Sequence, residues 1–114
     1  MAELPKKIDL GAIIFDVEVI PKLVDDDDKK RLIGQIKHSL SRIQLDADAE
    51  VQAMATTMMH EIMHYFIVEF GQDKAIDPLR MEGLVNALSA GMTILIRRNP
   101  DLITFMQELD NVCR

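Results

Sequence analysis

The fold is decided by the stretch Met58-Met59-His60-Glu61-Ile62-Met63-His64-Tyr65-Phe66. At its centre, His60, Glu61 and His64 form an H-E-x-x-H motif. Residues four apart on a helix lie on one face, one turn above each other. Two imidazoles in this position can bind one metal ion, and the adjacent glutamate can reach a water at that metal. Because buried His and Glu are costly unless paired or metal-bound, the apolar flanks favour a metal site.

An apolar helix is predicted around this motif, over residues 48–70. Its apolar residues cover most of its circumference, which is typical of a helix inside a domain. Thr57 joins the three motif residues in one polar patch, given 3.6 residues per turn. Asp46 and Asp48 predict the N-cap of the helix. Tyr65 is expected at the boundary of the core.

The chain before this helix is predicted to form strands. Apolar and polar residues alternate over residues 8–24, where Gly11 is expected to separate two short strands and Pro21 to end the second. A hairpin is predicted over residues 32–45, with His38 as an exposed residue of its turn. The charged run at 25–31 is interpreted as a solvated loop.

Two further helices are predicted after the motif helix. Asp77-Pro78 and Asn99-Pro100 each combine an N-cap with a proline at the first helical position, which predicts helices over 78–98 and 100–112. Gly83 and Gly91 each cost roughly 1 kcal/mol against alanine, which predicts a close helix–helix approach. The order of elements indicates a single α+β domain over residues 1–114, with a small antiparallel sheet of three or four strands followed by three helices.

Composition limits the possible functions and locations. A formal net charge of -6 argues against nucleic acid and anionic membranes as partners. No apolar run is expected to reach the length that crosses a bilayer. The single cysteine, Cys113, excludes an internal disulfide and a Cys-cluster zinc site, and the polar start lacks the apolar segment of a signal peptide. We therefore expect a cytoplasmic protein.

A catalytic zinc site needs a third protein ligand and keeps a fourth position for water. The carboxylates that follow the motif are Glu69, Asp73, Asp77 and Glu82. Glu82 is the preferred candidate, because it lies in the first turns of a helix that can fold back against the motif helix. Asn86, one turn later, is expected to orient a ligand. Alternatively, Glu82 is an exposed helix-favouring residue and Asn86 a plain surface residue.

The two segments that contain these candidate ligands resemble the gluzincin zinc metallopeptidases. They are His60-Glu61-Ile62-Met63-His64 and Met81-Glu82-Gly83-Leu84-Val85-Asn86-Ala87-Leu88. The likeness is strongest to the minigluzincins and the short metallopeptidase-like proteins of phages and prophages, over most of residues 8–106. It implies Zn²⁺ held by His60, His64 and Glu82. It also implies hydrolysis of peptide bonds by a metal-activated water, with Glu61 as general base. The oxyanion-steadying His or Tyr of larger gluzincins has no clear counterpart here.

A peptide or protein substrate is expected to add as an extra strand to an edge at residues 41–45. Two alternatives stay open. In the first, the chain is a non-catalytic interaction module, for instance one encoded by a phage, that retains the H-E-x-x-H helix for docking or for a structural metal. In the second, His60 and His64 are neutral, hydrogen-bonded core residues that bind no metal.

Overall fold

The computed structural model describes residues 4–70 and 74–112; Asp73 and Cys113 lie outside this part of the chain. Within it, four strands precede three helices, which confirms the predicted α+β class. The elements are β1 (Lys7–Asp9), β2 (Ile14–Ile20), β3 (Gly34–Lys37), β4 (Arg42–Asp46), α1 (Val51–Glu69), α2 (Pro78–Arg98) and α3 (Pro100–Val112).

The four strands form one sheet in the order β1-β2-β4-β3. The two predicted hairpins are present, since β1 pairs antiparallel with β2 and β3 pairs antiparallel with β4. Gly11 has a φ of 97° in the first turn, a conformation that a residue without a side chain adopts without strain. The central pair, β2 and β4, is parallel. The sheet is therefore mixed, with antiparallel pairing on both sides of one parallel pair.

β3 is an edge strand of this sheet, and the prediction that residues 41–45 form an edge was wrong. β4 lies between two partners, with Ile43 opposite Val17 on one side and opposite Ile36 on the other. Ile43 and Leu45 are fully buried, as expected for a central strand. The alternation of residue types in β4 reports which face is buried and carries no information on which strands lie beside it.

Helix α1 covers the sheet and supplies half of the core. The buried core residues are Phe15, Ile43, Leu45, Met54, Ile62 and Tyr65. Tyr65, expected at the core boundary, is only 2% exposed, and its ring meets that of Phe15 edge-to-face with centroids 5.1 Å apart. This contact anchors the turn of α1 that carries the second motif histidine, because Tyr65 directly follows it.

The helix ends agree with the predictions for α2 and α3 but differ for α1. The Asp77 carboxylate accepts a hydrogen bond from the Leu79 N–H, as an N-cap does. α1 begins at Val51, later than predicted. Its N-cap is Glu50, so the predicted caps Asp46 and Asp48 were wrong, and the Asp46 carboxylate instead accepts hydrogen bonds from Arg31 and from the Asp48 N–H.

Helix α2 packs against α1 through a narrow face in which Val85 and Ser89 are buried. Its remaining surface is mostly exposed. A Cβ added at Gly83 or Gly91 would meet no atom within 4 Å, so the predicted close helix approach at these glycines is wrong for the described chain. Contrary to the sequence-based expectation, α2 is by length and composition apolar enough to cross a membrane, and 11% of its 18-residue apolar window is buried.

Candidate metal centre

The two motif histidines lie side by side on α1. The helix is continuous here because residues 51–69 contain neither glycine nor proline. Ile62 lies on another side of α1 and is buried in the core, while His60 and His64 face α2, where both meet Glu82. Their Nε2 atoms are 3.1 Å apart, and both side chains are about three-quarters buried. The i, i+4 spacing therefore places both imidazoles at one point, as predicted.

Helix α2 brings Glu82 to the same point. It runs back along α1, so that Thr93 and Arg97 lie near the start of α1 while Glu82 reaches the histidines. One Glu82 carboxylate oxygen is 2.8 Å from the His64 Nε2, and the other is 3.4 Å from the His60 Nε2. The potential ligand atoms of the three residues all lie within 4.8 Å of one another. The structure thus brings together the three predicted ligands.

The donor set fits a zinc ion in both chemistry and spacing. Two imidazole nitrogens and a carboxylate are a common catalytic zinc set, and bonds of 2.0–2.1 Å at tetrahedral angles place neighbouring donors roughly 3.3 Å apart. The distances of 3.1, 3.4 and 2.8 Å lie around that value. Small side-chain movements would suffice to centre an ion between the three donors.

The protonation of His64 also suits metal binding. Burial lowers the pKa of His64, and the charge of Glu82 only partly opposes this effect. The imidazole is therefore neutral near pH 7, which is the form that binds a metal. A metal ion would not have to displace a proton from this ring.

Glu61 follows the ligand His60 in α1, but its carboxyl lies in a different environment from the histidine rings. Burial raises the pKa of Glu61 to about 7, the charge of Glu82 adds to this rise, and the backbone N–H of Ile36 opposes it. A carboxylate with a pKa near neutrality can both accept and return a proton under cellular conditions. Glu61 is thus suited to acid–base work rather than to metal binding.

A cleft of about 380 Å³ opens beside Glu61. Its lining residues are Arg31, Leu32, Ile33, Gly34, Thr56, Thr57, His60, Glu61 and Asn86. One wall is the chain that enters β3, the floor is α1, and Asn86 stands on the side of α2. Asn86 therefore borders the cleft one turn after Glu82, while its role in orienting a ligand stays a prediction.

The outer edge of β3 faces this cleft and α1. The Asp46 N–H donates to the Ile33 carbonyl. Because ladder bonds alternate along an antiparallel pair, Gly34 and Ile36 direct their N–H and C=O groups away from β4. The position of the Ile36 N–H near Glu61 agrees with this pattern. Sequence reasoning missed this edge, because the outer strand of a sheet is set by pairing order and not by local pattern.

His38 is exposed in a short 3₁₀ turn, as predicted for a turn residue, and lies closer to the site than expected. Its ring stacks on that of Tyr65 with centroids 6.1 Å apart. Its charge is the smallest of the effects that lower the pKa of His64, of which burial is the largest. His38 thus belongs to the electrostatic surroundings of the three donors.

Comparisons of this chain with protein-family models, with curated protein sequences and with solved structures found no match. The resemblance to gluzincin metallopeptidases therefore stays a prediction carried by the motif residues.

Proposed function

We propose that this protein is a zinc-dependent metallopeptidase that hydrolyses peptide bonds, with His60, His64 and Glu82 as the metal ligands. The observation that carries the proposal is the convergence of these three donors, within 4.8 Å of one another, beside the partly buried Glu61. The donors come from two helices, and their spacing suits a tetrahedral ion. The resemblance to gluzincins favours the same chemistry.

The reaction would combine a metal with the acid–base chemistry of Glu61. A bound zinc ion supplies Lewis-acid activation of a water and of the scissile carbonyl. Glu61 accepts the proton of the attacking water and delivers it to the leaving amine. Without metal the pKa of Glu61 is about 7, and the positive charge of a bound metal would lower it and keep Glu61 in the carboxylate form that accepts the proton.

The outer edge of β3 would hold the substrate. An extended peptide can add to a free strand edge through main-chain hydrogen bonds, and Gly34 directs unpaired backbone groups outward here. A peptide paired in this way would lie along the cleft that His60 and Glu61 border. This arrangement moves the expected substrate strand from β4 to β3.

The proposal is tested by Glu61→Gln. We expect this variant to retain zinc and to lose cleavage of an extended-peptide library by about 10²- to 10⁴-fold, since the amide cannot accept the proton. Zinc is measured by elemental analysis of protein purified without chelators, and Glu69→Gln on the exposed end of α1 is the matched control. Undiminished cleavage in zinc-loaded Glu61→Gln would contradict the role of Glu61. A wild-type chain that binds zinc and cleaves no peptide would instead favour the non-catalytic module.

A further inference from the structure

Gly34 of β3 packs closely against Thr57 of α1. A Cβ added there would lie 2.6 Å from the Thr57 Cγ2, 2.9 Å from the Leu45 Cδ2 and 3.0 Å from the Gln44 carbonyl oxygen. Carbon atoms in ordinary packing contact are about 3.5–4.0 Å apart. β3 can therefore lie this close to the helix only because residue 34 has no side chain.

The requirement for glycine at this position is spatial and not conformational. In the described part of the chain, Gly11 is the only glycine with a positive φ angle, so Gly34 does not need glycine for its backbone conformation. The backbone of Gly34 is extended within β3 and would accept an alanine without strain. A substitution at this position therefore acts through packing, against Thr57 of α1 and against Leu45 and Gln44 of β4, and not through backbone strain.

That separation matters because Thr57 lies one helical turn before Glu61. Gly34 and Ile36 point their backbone groups to the same outer side of β3. The Ile36 N–H meets the Glu61 carboxylate, and Gly34 borders the cleft. If β3 moved outward at Gly34, both the hydrogen-bond donor to Glu61 and the substrate edge would move away from the ligands.

We propose that Gly34 is a positioning residue of the peptidase site, which sets the distance between the edge strand and the helix that carries Glu61. This inference rests on the proposed function for its catalytic consequence. It assigns Gly34 no contact with the reacting atoms. Its effect passes through the Ile36 N–H, which orients Glu61, and through the edge to which the peptide adds.

Three single variants and one double variant isolate this effect. In Gly34→Ala we expect kcat/KM for an extended peptide to fall by on the order of 10- to 100-fold, because a misplacement of less than 1 Å at a reacting group has effects of this size. Zinc content should stay at the wild-type level. Thr57→Ala removes the nearest clashing atom while those of Leu45 and Gln44 stay, so Gly34→Ala/Thr57→Ala should recover part of the loss relative to Thr57→Ala alone. Gly91→Ala is the control, because its Cβ would meet open space.

A second measurement does not depend on activity. In the wild-type chain, Glu61→Gln should shift the amide NMR signal of Ile36, because the group facing that N–H changes from a carboxyl to an amide. In the Gly34→Ala background the same change should shift the signal much less. If Gly34→Ala does not fold, Thr57→Leu, which enlarges the other side of the contact, should produce the same loss of coupling.

The outcomes separate this inference from the proposed function. Wild-type protein without peptidase activity would refute the proposed function, while the Ile36 signal would still decide whether Gly34 sets the strand–helix distance. Full coupling between Ile36 and Glu61 in Gly34→Ala, or unchanged kcat/KM, would overturn the positioning role. Equal loss in the single and double variants would also overturn it, since the loss would then not arise from contact with Thr57.

Discussion

The two halves of this chain are packed very differently. In the sheet and α1, Phe15, Ile43 and Leu45 are fully buried. In α2 and α3, large apolar side chains remain in solvent, for example Leu79 at 88% exposure and Phe105 at 58%. Stability in the first half therefore comes from a shared core, whereas α2 is held mainly by a narrow face against α1 and by contacts at its ends.

The candidate metal centre joins these two halves. His60, Glu61 and His64 belong to the well-packed half, and Glu82 belongs to the exposed one. A metal ion bound by His60, His64 and Glu82 would therefore link α1 to α2 at a place where apolar packing is sparse. Disturbing the ligands and disturbing the core should have distinct effects, and the following predictions separate them.

Removal of zinc should have the largest effect and should be concentrated in α2. If zinc binds only the folded chain, a free concentration 1,000-fold above the Kd stabilises it by about 4 kcal/mol, all of which a chelator removes. Hydrogen exchange of holo and chelated protein measures where this stability is lost. We expect faster exchange in α2 than in β4. Uniform loss over both elements would contradict a metal link between the two halves.

Truncation of core residues should distinguish the halves directly. Ile43→Ala leaves a cavity under α1 and should lower the free energy of unfolding by about 2–5 kcal/mol. Leu79→Ala, a matched aliphatic truncation on the exposed surface of α2, should change it by less than about 0.5 kcal/mol. Urea unfolding of metal-free protein measures both values. If Leu79→Ala lowered the free energy of unfolding by more than about 1 kcal/mol, Leu79 would be packed against other residues and not exposed.

The pH dependence of stability should report the partly buried carboxyl of Glu61. Because its pKa in the folded chain is about 7 instead of 4.5, the folded state retains a proton that the unfolded state releases. Its stabilising effect is complete below pH 4.5 and disappears as pH rises through 7. After allowance for solvent screening, this amounts to about 2–3 kcal/mol in the metal-free protein.

The matched variant for this pH effect is Glu61→Gln, which cannot titrate. As the pH rises from 4.5 to 7, the unfolding free energy of the wild type should therefore fall relative to that of the variant. Chemical denaturation at several pH values measures this difference. A constant difference over the whole range would show that Glu61 titrates as an exposed carboxyl does.

The smallest expected effect lies on the outer surface of α2. Gly91→Ala should stabilise the protein by up to about 1 kcal/mol, because alanine is the better helix former and its Cβ would meet open space. Thermal unfolding of the metal-free chain measures the gain. Destabilisation by Gly91→Ala would indicate that another surface packs closely against this glycine.

Local signals predicted much of this fold and of the candidate site. Asp77-Pro78 and Asn99-Pro100 predicted the starts of α2 and α3 correctly, because proline and capping effects act within one helical turn. The Asp77 carboxylate caps α2 as predicted, whereas the Asn99 side chain donates to the Leu95 carbonyl at the end of α2. The i, i+4 spacing placed His60 and His64 together for the same reason. Glu82 could be chosen because the first turns of α2, which was predicted to fold back on α1, contain few carboxylates.

The features that sequence reasoning missed depend on distant partners. The parallel pairing of β2 with β4 and the edge position of β3 are set by how residues 21–33 cross the sheet. The burial of Tyr65 depends on Phe15, which lies far away in the chain. The packing role of Gly34 requires Thr57 as a neighbour, and nothing in the residues around Gly34 indicates that contact.

The central claim is that His60, His64 and Glu82 bind one zinc ion, and zinc-edge X-ray absorption tests it most directly. Protein loaded with one equivalent of zinc should show two imidazole nitrogens and carboxylate or water oxygens at about 2.0–2.2 Å. Glu82→Gln and His64→Ala should each lower the zinc affinity and change the first coordination sphere, whereas Asp77→Asn should not. A chain that binds no stoichiometric zinc, or a coordination sphere unchanged in His64→Ala, would contradict the claim.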